Sequence, residues 1–361
     1  MNPRDALGEL TSAVQRNCDL ADAAHAQDLS LCVYLLQMRE FFRWERGLPL
    51  DAAPDRAEVG RWIASREAHW QSLSDDGGAG FAPLPIGTGL DPFDEESVNA
   101  GLTGHGLVYT AGLGRFRRPE FLLAERLETQ SREGATVVIT GREYARGMNP
   151  PLALSRGDLV LVRRDLLRRW LGTRIELSRQ RPAAEGLGSA LAAWRDGDDA
   201  LATLERVTAA ETETLVLHEL GERRASVLLG PGWERMLDGL DDRRIEIVAR
   251  AIRDLLADCT TTLPTLLERD ARASIHFWFA NLEGMRGLLG ARLRAAYLGW
   301  REAHGTPVAS QALLEALHAA REHWLGQARR MLAAWESEGE AGAAALSDAL
   351  VAAARSESPP G

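Results

Sequence analysis

The sequence predicts a mainly α protein, a multi-helix and bundle-like core carrying a small antiparallel β-rich insertion. Three observations lead there. Apolar residues recur at spacings of 3 and 4 through the first 75 residues and again beyond about residue 185. Between them lies a stretch rich in Gly and Pro, then short runs of β-branched and aromatic residues separated by Gly or charged turns. Hydrophobic residues at 45% and charged residues at 26% are the balance of an ordinary globular chain.

In order, residues 3–46 read as two helices. The first places Leu10, Val14, Asn17, Ala21, Ala24 and His25 on one stripe. The second, "LCVYLLQMREFFRW" after Ser30, is apolar around most of its circumference and reads as a central, buried helix. A third helix covers roughly 55–73, completing an N-terminal helical segment, 1–75. Residues 76–106 form a Gly/Pro-rich loop. Residues 107–180 are the β-rich insertion, with strands in "LVYTAGLGRF", "EFLLAERLET", "ATVVITGREY" and "DLVLV", and a further strand in "TRIELS". The arginines of "RRDLLRRW", 163–170, read as a solvated helix face. Residues 181–340 return to helical spacing, with separate helices over 187–206 and 209–229 and a long one over 272–303. Residues 341–361 read as a weakly ordered tail, ending in a disordered "SESPPG".

Composition excludes several kinds of chemistry. The chain has no lysine, since all 42 basic residues are arginine. It therefore lacks a P-loop lysine for ATP, a pyridoxal phosphate Schiff base and a lysine nucleophile. The glycines of "GHGLVYTAGLGRF" fall around a strand and a turn, so they make a hairpin and not a dinucleotide fingerprint. No apolar run reaches about 18 residues, so no membrane span is expected. The opening "MNPRDALGELTSAVQ" has no apolar core and predicts no secretory signal, which points to the cytoplasm. Cys18, Cys32 and Cys259 are odd in number and widely spaced, so they read as buried thiols without disulfides. A net charge of −10 argues against nucleic acid as a partner. A small molecule or another protein remains.

The candidate chemistry lies in polar residues on helix faces that should be dry. In "LVLHELGERR", His218 and Glu222 stand one turn apart. The zinc-protease helix motif fails there, because its second histidine is replaced by Glu222. In "ASIHFWFANLEGMRGLLG", His276 and Glu283 line up two turns apart, with Asn281 and Arg286 beside them. On the first helix, Asp22 and His25 have the i, i+3 spacing of carboxylate-bridged metal bundles. Imidazole and carboxylate ligands from facing helices suit iron, manganese or zinc. His218, Glu222, His276, Glu283, His25 and Asp22 are thus candidate metal ligands, with Glu283 and Arg286 as catalytic candidates. Arg286 would pair a carboxylate or hold an anionic substrate. One reading is a metal-dependent enzyme with its site between core helices. The other is a non-catalytic interaction or structural protein whose buried polar residues only set helix packing.

The charge balance yields a first test. Titration with generic duplex DNA at about 0.15 M salt should show no submicromolar, salt-sensitive affinity.

Overall fold

The computed structural model describes residues 3–50, 52–75, 80–180, 185–194 and 199–357. The chain is mainly α, with 69% of it helical. Three helices come first: α1 (Pro3–His25), α2 (Leu31–Glu45) and α3 (Arg56–Asp75), then the short α4 (Glu95–Gly101). The strands are β1 (Leu107–Leu113), β2 (Pro119–Arg132), β3 (Ala135–Arg146), β4 (Ala153–Arg156) and β5 (Leu159–Arg163). Among the described residues eleven α-helices follow: α5 (Arg164–Gln180), α6 (Glu185–Trp194), α7 (Ala200–Leu229), α8 (Pro231–Asp238), α9 (Arg243–Ala257), α10 (Leu263–Glu268), α11 (Arg272–Ala280), α12 (Gly284–Leu289), α13 (Ala291–Glu302), α14 (Pro307–Glu338) and α15 (Glu340–Glu357). Among the described residues no helix is long and apolar enough to cross a membrane.

The five strands form one sheet in the order β1-β2-β3-β5-β4. β1 pairs antiparallel with β2, Tyr109 opposite Leu123, and β4 with β5, Leu154 opposite Leu161. The sheet as a whole is mixed, which corrects the purely antiparallel expectation. A two-residue turn, Glu133 (φ 52) and Gly134 (φ 74), joins β2 to β3. Positive φ at both positions matches the twist of a tight hairpin.

The chain divides into two compact units. The first comprises Met1–Gln130, Val138–Leu152 and Arg163–Arg169. Its apolar clusters gather Val14, Cys18, Tyr109 and Leu123 in one group, and Met38, Phe41, Phe42 and Trp62 in another. The second comprises Ser131–Val137, Ala153–Val162 and Trp170–Gly361. Its core is built on α7, α9, α11, α13 and α14, around the fully buried Trp233, Leu255 and Ile252. Arg132 grips Glu213 with two hydrogen bonds, at 2.7 and 2.9 Å, tying the hairpin tip to α7.

Several local expectations change. "TRIELS" is not a strand, because α5 runs through it to Gln180. Leu171 is buried there, Trp170 packs on Phe277 and Arg174 donates to Asn281, so tertiary contacts override the β-branched Thr173 and Ile175. α7 is a single helix from 200 to 229, capped by Asp199, which accepts from Leu201 N and Ala202 N. Thr208 donates to Leu204 O within it, so its threonines bond back along the helix and do not end it. The 272–303 segment is three helices. Asn281 donates to Phe277 O at the first break, and Gly284 at φ +59 follows. α2 is not fully buried: Leu31, Val33, Leu35 and Leu36 are exposed, and only Met38, Phe41, Phe42 and Arg43 of this helix are buried. Cys32 is exposed, while Cys18 and Cys259 are buried. Arg163 is also buried, paired with Glu143 at 2.6 Å, and is not part of a solvated face. In the C-terminal tail, α15 reaches Glu357, and the last four residues lie outside the described ones.

Buried Glu211 on α7 gives the second test. Burial pushes its carboxyl up to about 8, against hydrogen bonds with Ser274 and Thr214. Between the unfolded value of 4.5 and about 8 the folded chain holds a proton that the unfolded chain has lost. Its contribution to stability should therefore fall by about 1.4 kcal/mol per pH unit as pH rises through that window, and level off above it. Urea melts from pH 5 to 9 should show a shallower fall in Glu211→Gln than in the wild type, the remainder coming from the other raised carboxyls, Glu219 at about 8 and Asp22 at about 6.

Candidate metal centre

Two helices of the second unit approach unusually closely. A Cβ placed on Gly221 of α7 would lie 2.7 Å from the backbone oxygen of Ala257 at the end of α9. Only a residue without a side chain permits that contact. The crossing is flanked on both sides by polar residues one turn apart. His218 and Glu222 bracket Gly221, and Asp254 and Asp258 bracket Ala257. After Ala257 the helix widens into a π turn, Asp258–Thr262, before α10. Such turns insert an extra residue and re-aim the side chains around them.

The four groups meet. His218 Nδ1 lies 2.8 Å from Asp258 Oδ1, and its Nε2 lies 3.4 Å from Glu222 Oε1. Arg253 Nη2 holds the other oxygen of Glu222 at 2.8 Å. Arg286 Nη1, on α12, reaches Asp258 Oδ2 at 3.4 Å. His218, Glu222 and Asp254 each offer one ligand atom, and these atoms all lie within 4.8 Å of one another. Asp254 Oδ1 is buried with no hydrogen-bond partner. Asp258 is fully buried, whereas His218 and Glu222 keep 17% and 13% of their side-chain surface, so the cluster is reachable from one side.

Protonation follows from burial and these neighbours. Burial opposes the charge on His218, but Asp258 and Glu222 outweigh it and hold its pKa well above the usual value. Burial likewise works against Asp258, yet His218 and Arg286 hold it below the ordinary carboxylate range. For Glu222, Arg253 and His218 overcome the same penalty and hold it well below that range. Asp254 is raised, by burial first and then by the charge of Glu222. The neighbouring Glu219 is pushed up to about 8 by the same two causes. The cluster thus keeps carboxyls shifted in opposite directions side by side.

Residues 9–163 match the N-terminal domain of a family of unknown function (DUF6866), and residues 168–353 match its C-terminal domain. The chain belongs to the DUF6866 family. No curated protein and no solved structure matches it. The whole His218 cluster falls within the segment matched by the DUF6866 C-terminal domain.

Of the residues singled out from sequence, His218, Glu222 and Arg286 come together here. His276 lies apart from this set of contacts. Its Nδ1 is 2.9 Å from the Tyr297 hydroxyl, and its ring packs at 5.2 Å from Trp300. Glu283 precedes α12, with 65% of its side chain exposed, and pairs with Arg174 at 3.3 Å. The break after Ala280 removes the helical register that aligned His276 with Glu283. In the first unit, Asp22 is buried against Arg118 and accepts from Met148 N at 2.7 Å. His25 pairs with Asp28 at 3.2 Å. Sequence reading missed Arg253, Asp254 and Asp258. The signal was present in "AIRDLLADCTTT", where two carboxylates stand four apart in an apolar helix, the same spacing that singled out His218 and Glu222.

The close crossing yields the third test. Gly221→Ala should cost about 1 to 3 kcal/mol in a denaturant melt, because the methyl meets backbone, which cannot rotate away. Gly299→Ala, at a site with open space around its Cβ, should not.

Proposed function

We propose that the second unit holds one divalent transition metal, iron, manganese or zinc, and that the protein is a metal-dependent enzyme. The observation that carries this is the convergence of ligand atoms from His218, Glu222 and Asp254, with Asp254 Oδ1 buried and without a hydrogen-bond partner. Ligands about 2.1 Å from such an ion sit about 3 to 3.5 Å apart, so small side-chain adjustments close the set. One imidazole and two carboxylates suit these three metals. Asp258 accepts from Nδ1 of His218, which leaves Nε2 as the ligand atom, the usual carboxylate–histidine support of a metal. Arg286 fixes Asp258 in turn. A metal there would polarise a bound water or a substrate oxygen. Arg253 holds Glu222 in place and adds positive charge next to it.

A second reading has its own support. Leu31, Val33, Leu35 and Leu36 expose an apolar face on α2, as a protein-interaction surface would. In that reading the His218 cluster only locks α7 to α9. Either role fits the cytoplasm, since three free thiols, one of them exposed, suit a reducing compartment.

Metal analysis after dialysis against each ion separates the readings. The metalloprotein retains about one equivalent, and His218→Ala and Asp254→Asn each lose it while the helical circular dichroism persists. His276→Ala, whose partners are Tyr297 and Trp300, should retain it. A wild type without retained metal leaves the interaction reading.

A further inference from the structure

The first unit contains a cleft of about 1000 Å³ whose charge is unbalanced. Arg16, Arg46, Arg66, Arg142, Arg146 and Arg169 line it, against four carboxylates. Some of these arginines are engaged. Arg66 holds Asp19 at 3.1 Å and also pairs with Glu45. Arg169 Nη1 donates to Leu48 O at 3.1 Å.

Arg146 differs. It is only 2% exposed, and its buried Nε–H has no hydrogen-bond partner. Its nearest carboxylate oxygen, on Glu143, is 3.6 Å from Nε, and the other Glu143 oxygen is taken by Arg163 at 2.6 Å. The guanidinium carbon lies over the Trp44 ring, 4.8 Å from its centroid, and over that of Phe41 at 5.8 Å. Aromatic packing therefore holds the group, and Nε makes only the long 3.6 Å ion-pair contact with Glu143. Around it, the buried Arg43, Arg146 and Arg163 share two carboxylates, Glu40 and Glu143. A buried cation in excess is costly unless something neutralises it.

We infer that this cleft binds a small organic oxyanion, with Arg146 as its anchoring fork. The planar pair of N–H groups matches a carboxylate or a phosphate two bonds at a time. The volume is that of a metabolite site. Exposed Arg142, stacked 5.2 Å over Tyr144, adds attraction at the surface without being the anchor. The site belongs to the first unit and does not depend on the metal reading of the second.

Calorimetric titration of the full chain with pyrophosphate and with citrate, at constant ionic strength, tests this and separates phosphate from carboxylate recognition. At least one probe should bind with one-to-one stoichiometry at about millimolar affinity or better. Arg146→Met should weaken that binding about tenfold or more, and Arg142→Gln by less than about threefold. Without probe, Arg146→Met should melt at the same temperature as the wild type or higher, since it removes the cation in excess and leaves Glu143 paired with Arg163. Should Arg146→Met not fold, Arg146→Lys keeps the charge but not the fork, and weakened binding there supports the site. No binding of either probe up to about 10 mM, or unchanged binding in the Arg146 variant, overturns it.

Discussion

The contact between Gly221 and the backbone of Ala257 is the constraint on which the second unit's polar centre depends. Two helices that met through ordinary side chains would sit about 8 to 10 Å apart. The missing side chain lets α7 and α9 approach closely enough for His218, Glu222, Asp254 and Asp258 to form one network. Each of these groups then meets its partner with little room for water. A buried charge held this way is sensitive to loss of its neighbour, because the remaining charge has nowhere to go. The π turn at Asp258 belongs to the same arrangement, since it lets one helix carry Asp254 and Asp258 to the crossing and then continue in a new direction.

Buried polar groups are handled differently in different places. Around His218 each ionised group has a partner of opposite sign, and the remaining carboxyls are raised toward the neutral form. At Asp22 an arginine and a backbone N–H do the same work. Arg146, like Asp254 with its Oδ1, keeps a buried polar atom without a hydrogen bond. The Arg146 guanidinium lies over aromatic rings while its Nε has only a 3.6 Å ion-pair contact and no hydrogen bond. Packed interiors keep their polar atoms hydrogen-bonded, so the exceptions mark places where a protein does something besides fold.

Periodicity made most of the helices readable, because an apolar stripe every 3 or 4 residues has one stable solution in water. It also placed the strands near their true positions through their short apolar runs and glycine turns. Where it erred, a neighbour decided. "TRIELS" has the residues of a strand, but Trp170 and Arg174 pack and pair as parts of a helix. The α2 segment has the residues of a buried helix, yet only its second half meets the core.

The sequence by itself determined that the protein is mainly helical with a sheet between helical segments, that it lacks lysine chemistry, and that His218 and Glu222 share a helix face. These are properties of local spacing and composition. Only the tertiary structure decided which distant residues join them. It brought Asp254 and Asp258 from 32 and 36 positions beyond Glu222, and it parted His276 from Glu283 by ending a helix at Ala280. It also decided that the Nε of Arg146 is buried without an acceptor. The reason is physical: spacing along one element fixes which way side chains point, but which surfaces meet depends on where elements can approach, and here a single glycine sets that.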